Sequence, residues 1–200
     1  MNSRERHKTE SPNPNWLRPA IFVSVVAMAF FASAGLVIAH VEDNSAFCAS
    51  CHTQPESAYY QRAIATTSVD LASKHAAKNI TCIQCHSGPG VTGRIGGMMV
   101  GAGDLLVYES GHYRNPAVVT VAIADGNCLK CHATVTAKRD FNNHFHVFLA
   151  KWQSLDPKNA ATCVECHQSH ITDGVAKVAF LKEAPTVAVC QRCHAFAGAH

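Results

Sequence analysis

Five copies of one pentapeptide, Cys-x-x-Cys-His, constrain this 200-residue chain more than any other feature. They read Cys48-Ala-Ser-Cys51-His52, Cys82-Ile-Gln-Cys85-His86, Cys128-Leu-Lys-Cys131-His132, Cys163-Val-Glu-Cys166-His167 and Cys190-Gln-Arg-Cys193-His194, and together they use all ten cysteines. The pattern is the attachment motif of c-type haem. Two thiols, three positions apart, bond covalently to the porphyrin vinyl groups, and the adjoining histidine sits beneath the ring and ligates the iron. The chain is therefore expected to carry five c-type haems, with His52, His86, His132, His167 and His194 as proximal ligands.

Other readings of ten cysteines fit poorly. A disulfide framework gives no reason for a histidine after every second cysteine. Zinc knuckles use four ligands per metal, and five knuckles do not pair off into four-cysteine sites. A thioredoxin-like motif occurs once, in a βαβ setting.

The N-terminus indicates a compartment. Arg4, Arg6, Lys8 and Arg18 precede an uncharged stretch from Ala20 to Ala39, and Glu42 and Asp43 follow it. At about 1.5 Å per residue such a helix spans the roughly 30 Å hydrocarbon core of a bilayer. Basic residues before the span place residues 1–19 in the cytoplasm under the positive-inside rule. A membrane anchor at 20–39 then leaves the haem-bearing part outside the cytoplasmic membrane, on the periplasmic side. The competing reading is a cleaved signal peptide, with Ala32-Ser33-Ala34 resembling a cleavage site; the apolar run continues beyond it to Ala39.

About 160 residues follow the anchor, roughly one haem per 32. So little chain has few side chains left for a core of its own, so the porphyrins are expected to supply it. The expected class is mainly α with much irregular chain, one N-terminal transmembrane helix preceding a compact multihaem domain. Expected helices are 54–66, 68–78, 116–124, 142–153 and 175–182. Past residue 41, thirteen Lys and Arg face twelve Asp and Glu. This balance gives no basis for nucleic-acid binding.

Successive motifs begin 34, 46, 35 and 27 residues apart. The first two and the next two thus read as similar dihaem units, with a fifth appended. Lys78-Asn79-Ile80-Thr81-Cys82 also echoes Lys158-Asn159-Ala160-Ala161-Thr162-Cys163.

Eight histidines lie outside the motifs. His7 falls on the cytoplasmic side and His40 at the membrane border. His75, His112, His144, His146, His170 and His200 remain as candidate distal ligands for five irons, with His75 and His170 foremost. Histidine on both faces gives low-spin iron suited to electron transfer, whereas an open position permits substrate chemistry. His144 and His146 flank Phe145 and point apart on a helix, so one of the two is expected to ligate.

Residues 87–107 hold seven of the twelve glycines, with Met98, Met99, Val100, Leu105, Leu106 and Val107, and only Arg94 and Asp104 as charges. Apolar sequence with isolated charges suits a membrane interface, where a lipid-soluble quinol docks and a carboxylate such as Asp104 accepts protons. The competing reading is a loop packed against haem. Gly88-Pro-Gly90-Val-Thr-Gly93 matches G-x-G-x-x-G but follows a haem motif rather than a strand, which excludes a dinucleotide site.

An anchor followed by Phe47-Cys48-Ala49-Ser50-Cys51-His52, then Leu71-Ala72-Ser73-Lys74-His75, then Cys163-Val-Glu-Cys166-His167-Gln-Ser-His170, resembles the NapC/NirT quinol dehydrogenases over residues 16–172. The resemblance implies a tetrahaem domain at 40–172 that oxidises menaquinol or ubiquinol and passes electrons to a periplasmic reductase, with His75 and His170 as distal ligands. Residues 173–200 carry the fifth haem, beyond the family's usual four. Relatives of the nitrite reductase subunit place an iron-ligating methionine two residues after the first motif, where this chain has Gln54. Met98, Met99 and His112 are the alternatives, and an open position at the first haem is the other. The family's quinol pocket pairs a lysine with an aspartate; Asp104 fits the aspartate, and Arg94 is the substitute for the lysine. Two other roles stay open: an electron relay within a larger complex such as alternative complex III, and a terminal reductase with an open haem.

Overall fold

The computed structural model describes residues 14–51, 54–119 and 121–198. The chain divides into two compact units, Met1–His40 and Val41–His200. Helix α1 runs Leu17–Glu42, and its most apolar 18 residues have a mean hydropathy of 2.5. Twenty-six residues extend about 39 Å, so α1 is long and apolar enough to cross a membrane.

Nine further helices follow among the described residues: α2 (Ser45–Cys51), α3 (Glu56–Ala63), α4 (Leu71–Ala76), α5 (Cys82–His86), α6 (Gly90–Glu109), α7 (Asp125–His132), α8 (His144–Leu155), α9 (Cys163–Cys166) and α10 (Glu183–Phe196). Short 3-10 turns and irregular chain join them. No strand forms among the described residues, only an isolated antiparallel bridge between Val175 and Leu181. The expected mainly helical class with much irregular chain matches this outline.

Local chemistry starts these short helices. Asp70 caps α4 by accepting from the Ser73 N–H at 2.7 Å, while the Ser73 hydroxyl accepts from the Asp70 N–H at 3.0 Å. Before α5 and α9 the same device recurs: Thr81 N–H donates to Gln84 Oε1 and Thr162 N–H to Glu165 Oε2, both at 2.9 Å.

Two of the expected helices do not form. The 116–124 stretch is irregular over its described residues, and Val119 and Val121 are largely exposed. Its β-branched side chains find nothing to pack against, and Pro116 has no N–H for a ladder. The helix starts instead at Asp125. In 175–182 only the 3-10 turn Ala176–Val178 is helical. Ala179 and Phe180 then take left-handed backbone, folding the segment back so that Leu181 pairs with Val175. A Cβ on Gly174 would collide with the Phe180 carbonyl, so this bend requires a glycine.

Conversely, residues 90–109 form the continuous helix α6 rather than a loop. Each glycine costs about 1 kcal/mol of helix propensity, which hides the helix in the sequence. Here glycines at one-turn intervals make it fit: Gly93 lies against the Gly88 backbone, Gly97 against Ser87, and Gly101 against Glu42. None of α6's residues is buried, and Val91, Met99, Val100 and Leu106 are each about two-thirds or more exposed.

The apolar core is small. Leu149, Trp152, Ala161, Cys166 and Val189 form its buried centre, with Phe145, Leu181 and Cys193 packed around it. Helix α10 shares this core with α8 and α9, so residues 173–198 pack into the same compact unit. Arg192 also bonds both Glu165 oxygens, at 3.0 and 2.9 Å, and lies 5.6 Å from the centre of the Trp152 ring.

Candidate haem sites

Every Cys-x-x-Cys pair sits on a helix, four of them on helices of eight residues or fewer. The cysteines three apart then project from one side of it, as a tether to one macrocycle requires. The helices that carry the motifs touch in chain order: α2 with α5, α5 with α7, α7 with α9, and α9 with α10. The five motif helices therefore run in one connected series. The side chain of Cys51, and His52 itself, lie outside the described residues, as does His200.

The repeated spacing of the first two and the next two motifs has a structural counterpart. Thiols Cys48 and Cys82 lie close enough to interact, and so do Cys128 and Cys163. The interaction lowers Cys82 to about 6 and Cys128 to about 7, and pushes Cys48 and Cys163 up. In each unit the residue three before the first motif accepts from the first cysteine N–H of the second: Ser45 Oγ from Cys82 at 3.2 Å, and Asp125 Oδ1 from Cys163 at 2.7 Å. The sequence carried this signal as a fixed offset from the motif, which its reading had not used.

Each of the four described motif histidines faces one from elsewhere in the chain. Ring centroids lie 6.4 Å apart for His86 and His170, 6.0 Å for His132 and His75, 6.2 Å for His167 and His146, and 6.3 Å for His194 and His144. With metal–imidazole bonds of about 2 Å and roughly 1.1 Å from ring nitrogen to ring centre, two imidazoles on opposite faces of one iron have centroids about 6.3 Å apart. All four separations fit a six-coordinate iron between the rings. Among the described residues no three His, Cys, Asp or Glu side chains converge as a closed metal site would need.

Hydrogen bonds select the nitrogen that faces inward. His75 Nδ1–H donates to Leu71 O at 2.8 Å, His144 Nδ1–H to Phe141 O at 2.6 Å, and His167 Nδ1–H to Ala179 O at 3.3 Å. His146 Nδ1–H donates to Asn143 Oδ1 at 2.9 Å, and Asn143 is fixed in turn by the carbonyls of Val135 and Lys138. Donation from Nδ1 leaves the Nε2 lone pair free for a metal, the usual outer-shell arrangement. Burial lowers the pKa of His86 and His146, and takes His170 down to about 4, keeping these rings neutral as ligation requires.

His170 is the most enclosed of the distal candidates. Its ring stacks on Tyr59 at 4.0 Å, and Arg62 lies 4.9 Å from the Tyr59 ring centre. Arg62 Nη2–H donates to His170 O at 3.0 Å while Nε–H donates to Asp70 at 2.7 Å. Asp70 thus caps the helix that carries His75 and anchors the arginine that holds His170. Its burial would raise its pKa, but Ser73 and Arg62 outweigh that and hold it low.

Two site expectations change. His144 and His146 both face motif histidines, different ones, because two residues along a helix is a rotation of about 200°. The charges of the 87–107 segment do not meet: Arg94 and Asp104 lie ten residues, about 15 Å, apart along α6. Arg94 instead reaches Glu42 at 3.4 Å and Asp43 at 3.2 Å. Glu42 is buried and near enough for its charge to add to the upward push on Cys48. Asp104 is exposed, as is His112, whose N–H bonds Ser110. Met99 is exposed and Met98 half-buried.

Comparison of the chain with protein-family models, with curated proteins and with solved structures finds no match.

Proposed function

We propose that this protein is a membrane-anchored pentahaem c-type cytochrome that takes electrons from quinol and delivers them to a redox partner outside the cytoplasmic membrane. The observation that carries the reading is the set of four histidine pairs at iron-bridging separation, each including the histidine of a Cys-x-x-Cys-His motif. The group supplies one-electron chemistry when bound. The chain's residues would do the rest: the cysteines would fix each ring to its helix, and His86 with His170, His132 with His75, His167 with His146 and His194 with His144 would hold the irons. Iron held this way exchanges electrons without binding substrate, which disfavours a terminal reductase at these four centres.

Helix α1 is the anchor, with the basic N-terminus in the cytoplasm. The exposed apolar side of α6 lies at the bilayer surface, and quinol enters by the first haem. Oxidation of quinol releases two protons. Of the carboxylates considered, Glu42 is the buried one, held against Arg94 beside the first motif, and it takes the accepting role first read for Asp104. A second reading, an electron relay inside a larger membrane assembly, also draws on the bare surface of α6, which a neighbouring subunit would cover as well as lipid does. Reduction of the purified, detergent-solubilised holoprotein by a menaquinol analogue separates the two. Prompt reduction, followed by haem absorbance, supports quinol oxidation; reduction by dithionite alone supports the relay.

A further inference from the structure

Resting on the haem reading, we infer that the fifth iron is ligated by His194 and His144, and that the chain sorts its irons into two electronic classes by how the facing imidazoles are turned. The ring planes cross at 84° in His75–His132 and 85° in His144–His194. They are nearly aligned, at 25° and 20°, in His86–His170 and His146–His167. Separation therefore groups all four pairs together, whereas orientation divides them two and two.

Ring orientation matters through orbital overlap. An imidazole donates π density only into the iron d orbital perpendicular to its own plane. Two aligned rings push on the same orbital and split it from its partner, which gives low-spin ferric iron a rhombic, three-feature paramagnetic resonance. Two crossed rings push on both orbitals alike and leave them nearly equal in energy. Orbital angular momentum then survives, and the signal collapses to one extreme low-field feature.

In three of the four pairs a hydrogen bond already described holds at least one ring, and in His86–His170 the His170 ring is held by its stack on Tyr59. One turn at the start of α8 supplies distal ligands to two irons: His144, pinned to Phe141 O, serves the fifth and crosses His194, while His146, pinned to Asn143, serves the fourth and lies along His167. The fourth and fifth irons are thus neighbours joined through two residues of one helix, yet belong to different classes. The C-terminal motif extends the series with an iron unlike the one that feeds it.

Low-temperature paramagnetic resonance of the oxidised full-length holoprotein tests this. Both an extreme low-field feature and a rhombic set are expected. H144A should remove part of the low-field intensity, add a high-spin ferric signal and leave the rhombic set intact. H146A should do the converse. H144M, which restores a sixth ligand, should return that iron to low spin without restoring the crossed-ring feature. His144 is exposed, so its replacement spares the packing. Five haems per chain with rhombic signals alone, or an H144A spectrum with its low-field intensity unchanged, would overturn the inference. Fewer than five covalent haems by intact mass would instead overturn the reading beneath it.

Discussion

Asp70 carries more of the site than its distance from the motifs suggests. It is 1% exposed, caps α4 through Ser73 and pairs with Arg62, which in turn holds the carbonyl of His170. Removing the carboxylate loses a helix cap and leaves the half-buried guanidinium unpaired, so D70A is expected to cost about 3 kcal/mol. Chemical denaturation of the holoprotein measures this; a loss under about 1 kcal/mol would mean the network contributes little. The sign of the pH effect follows from the lowered folded-state pKa. The stabilisation is present above the ordinary carboxylate value of about 3.9 and fades as pH falls below it, so D70N should flatten the acid limb of the stability curve. At the quinol end, Glu42 and Asp104 are separable. E42Q is expected to slow reduction by a quinol analogue on the order of 10²-fold, with D104N near wild type. The reverse order would return the accepting role to Asp104.

At the scale of elements, α6 shows what sequence patterns reveal and conceal. Its apolar character and isolated charges were legible, but its helicity was not, because glycine lowers propensity wherever it stands. Only the fold shows that Gly93, Gly97 and Gly101 are contact points against Gly88, Ser87 and Glu42, whereas Gly103 faces open space. Substitution should separate these roles. G93A forces backbone against backbone and is expected to destabilise by about 1–3 kcal/mol, while G103A should stabilise by roughly 0.5–1 kcal/mol. Equal effects of the two on thermal unfolding would argue that α6 does not pack as described. The 116–124 error has the opposite cause. Val118, Val119 and Val121 look like material for a packed element, yet tertiary structure offers them no partner. The motifs and the histidines outside them stand out in the sequence because Cys-x-x-Cys-His is a fixed local spacing. Which histidine meets which does not, since His75 and His132 are brought together from 57 residues apart by folding alone.

Across the whole molecule, the side-chain core is too small for the length of chain it must hold. Only seven apolar residues are buried among those described, five of them in one cluster around Trp152. The first and second motifs lie outside that cluster and rely on Ile83, short caps and the Asp70 network. Domains that lack a sufficient core are commonly stabilised by covalent staples or bound metals, and the five tethered porphyrins proposed above would answer that need. Under that proposal folding and haem attachment are one linked process, because ligand pairs such as His86 and His170 would gain their partner only with the iron present. The chain produced without haem attachment is therefore expected to lack a cooperative thermal transition and to be cleaved rapidly by protease throughout 41–200. Loss of haem from a single motif should grade the damage. Cys190→Ala with Cys193→Ala removes the last tether but leaves Trp152, Val189 and the Arg192–Glu165 pair, so the first four sites should still load. Cys82→Ala with Cys85→Ala removes a centre from a region with almost no apolar core, and loading of the first and third sites is expected to fall with it. Haem stoichiometry by intact mass distinguishes these outcomes. Equal loss from both double variants would mean that the α8–α10 core does not stabilise its end of the molecule independently.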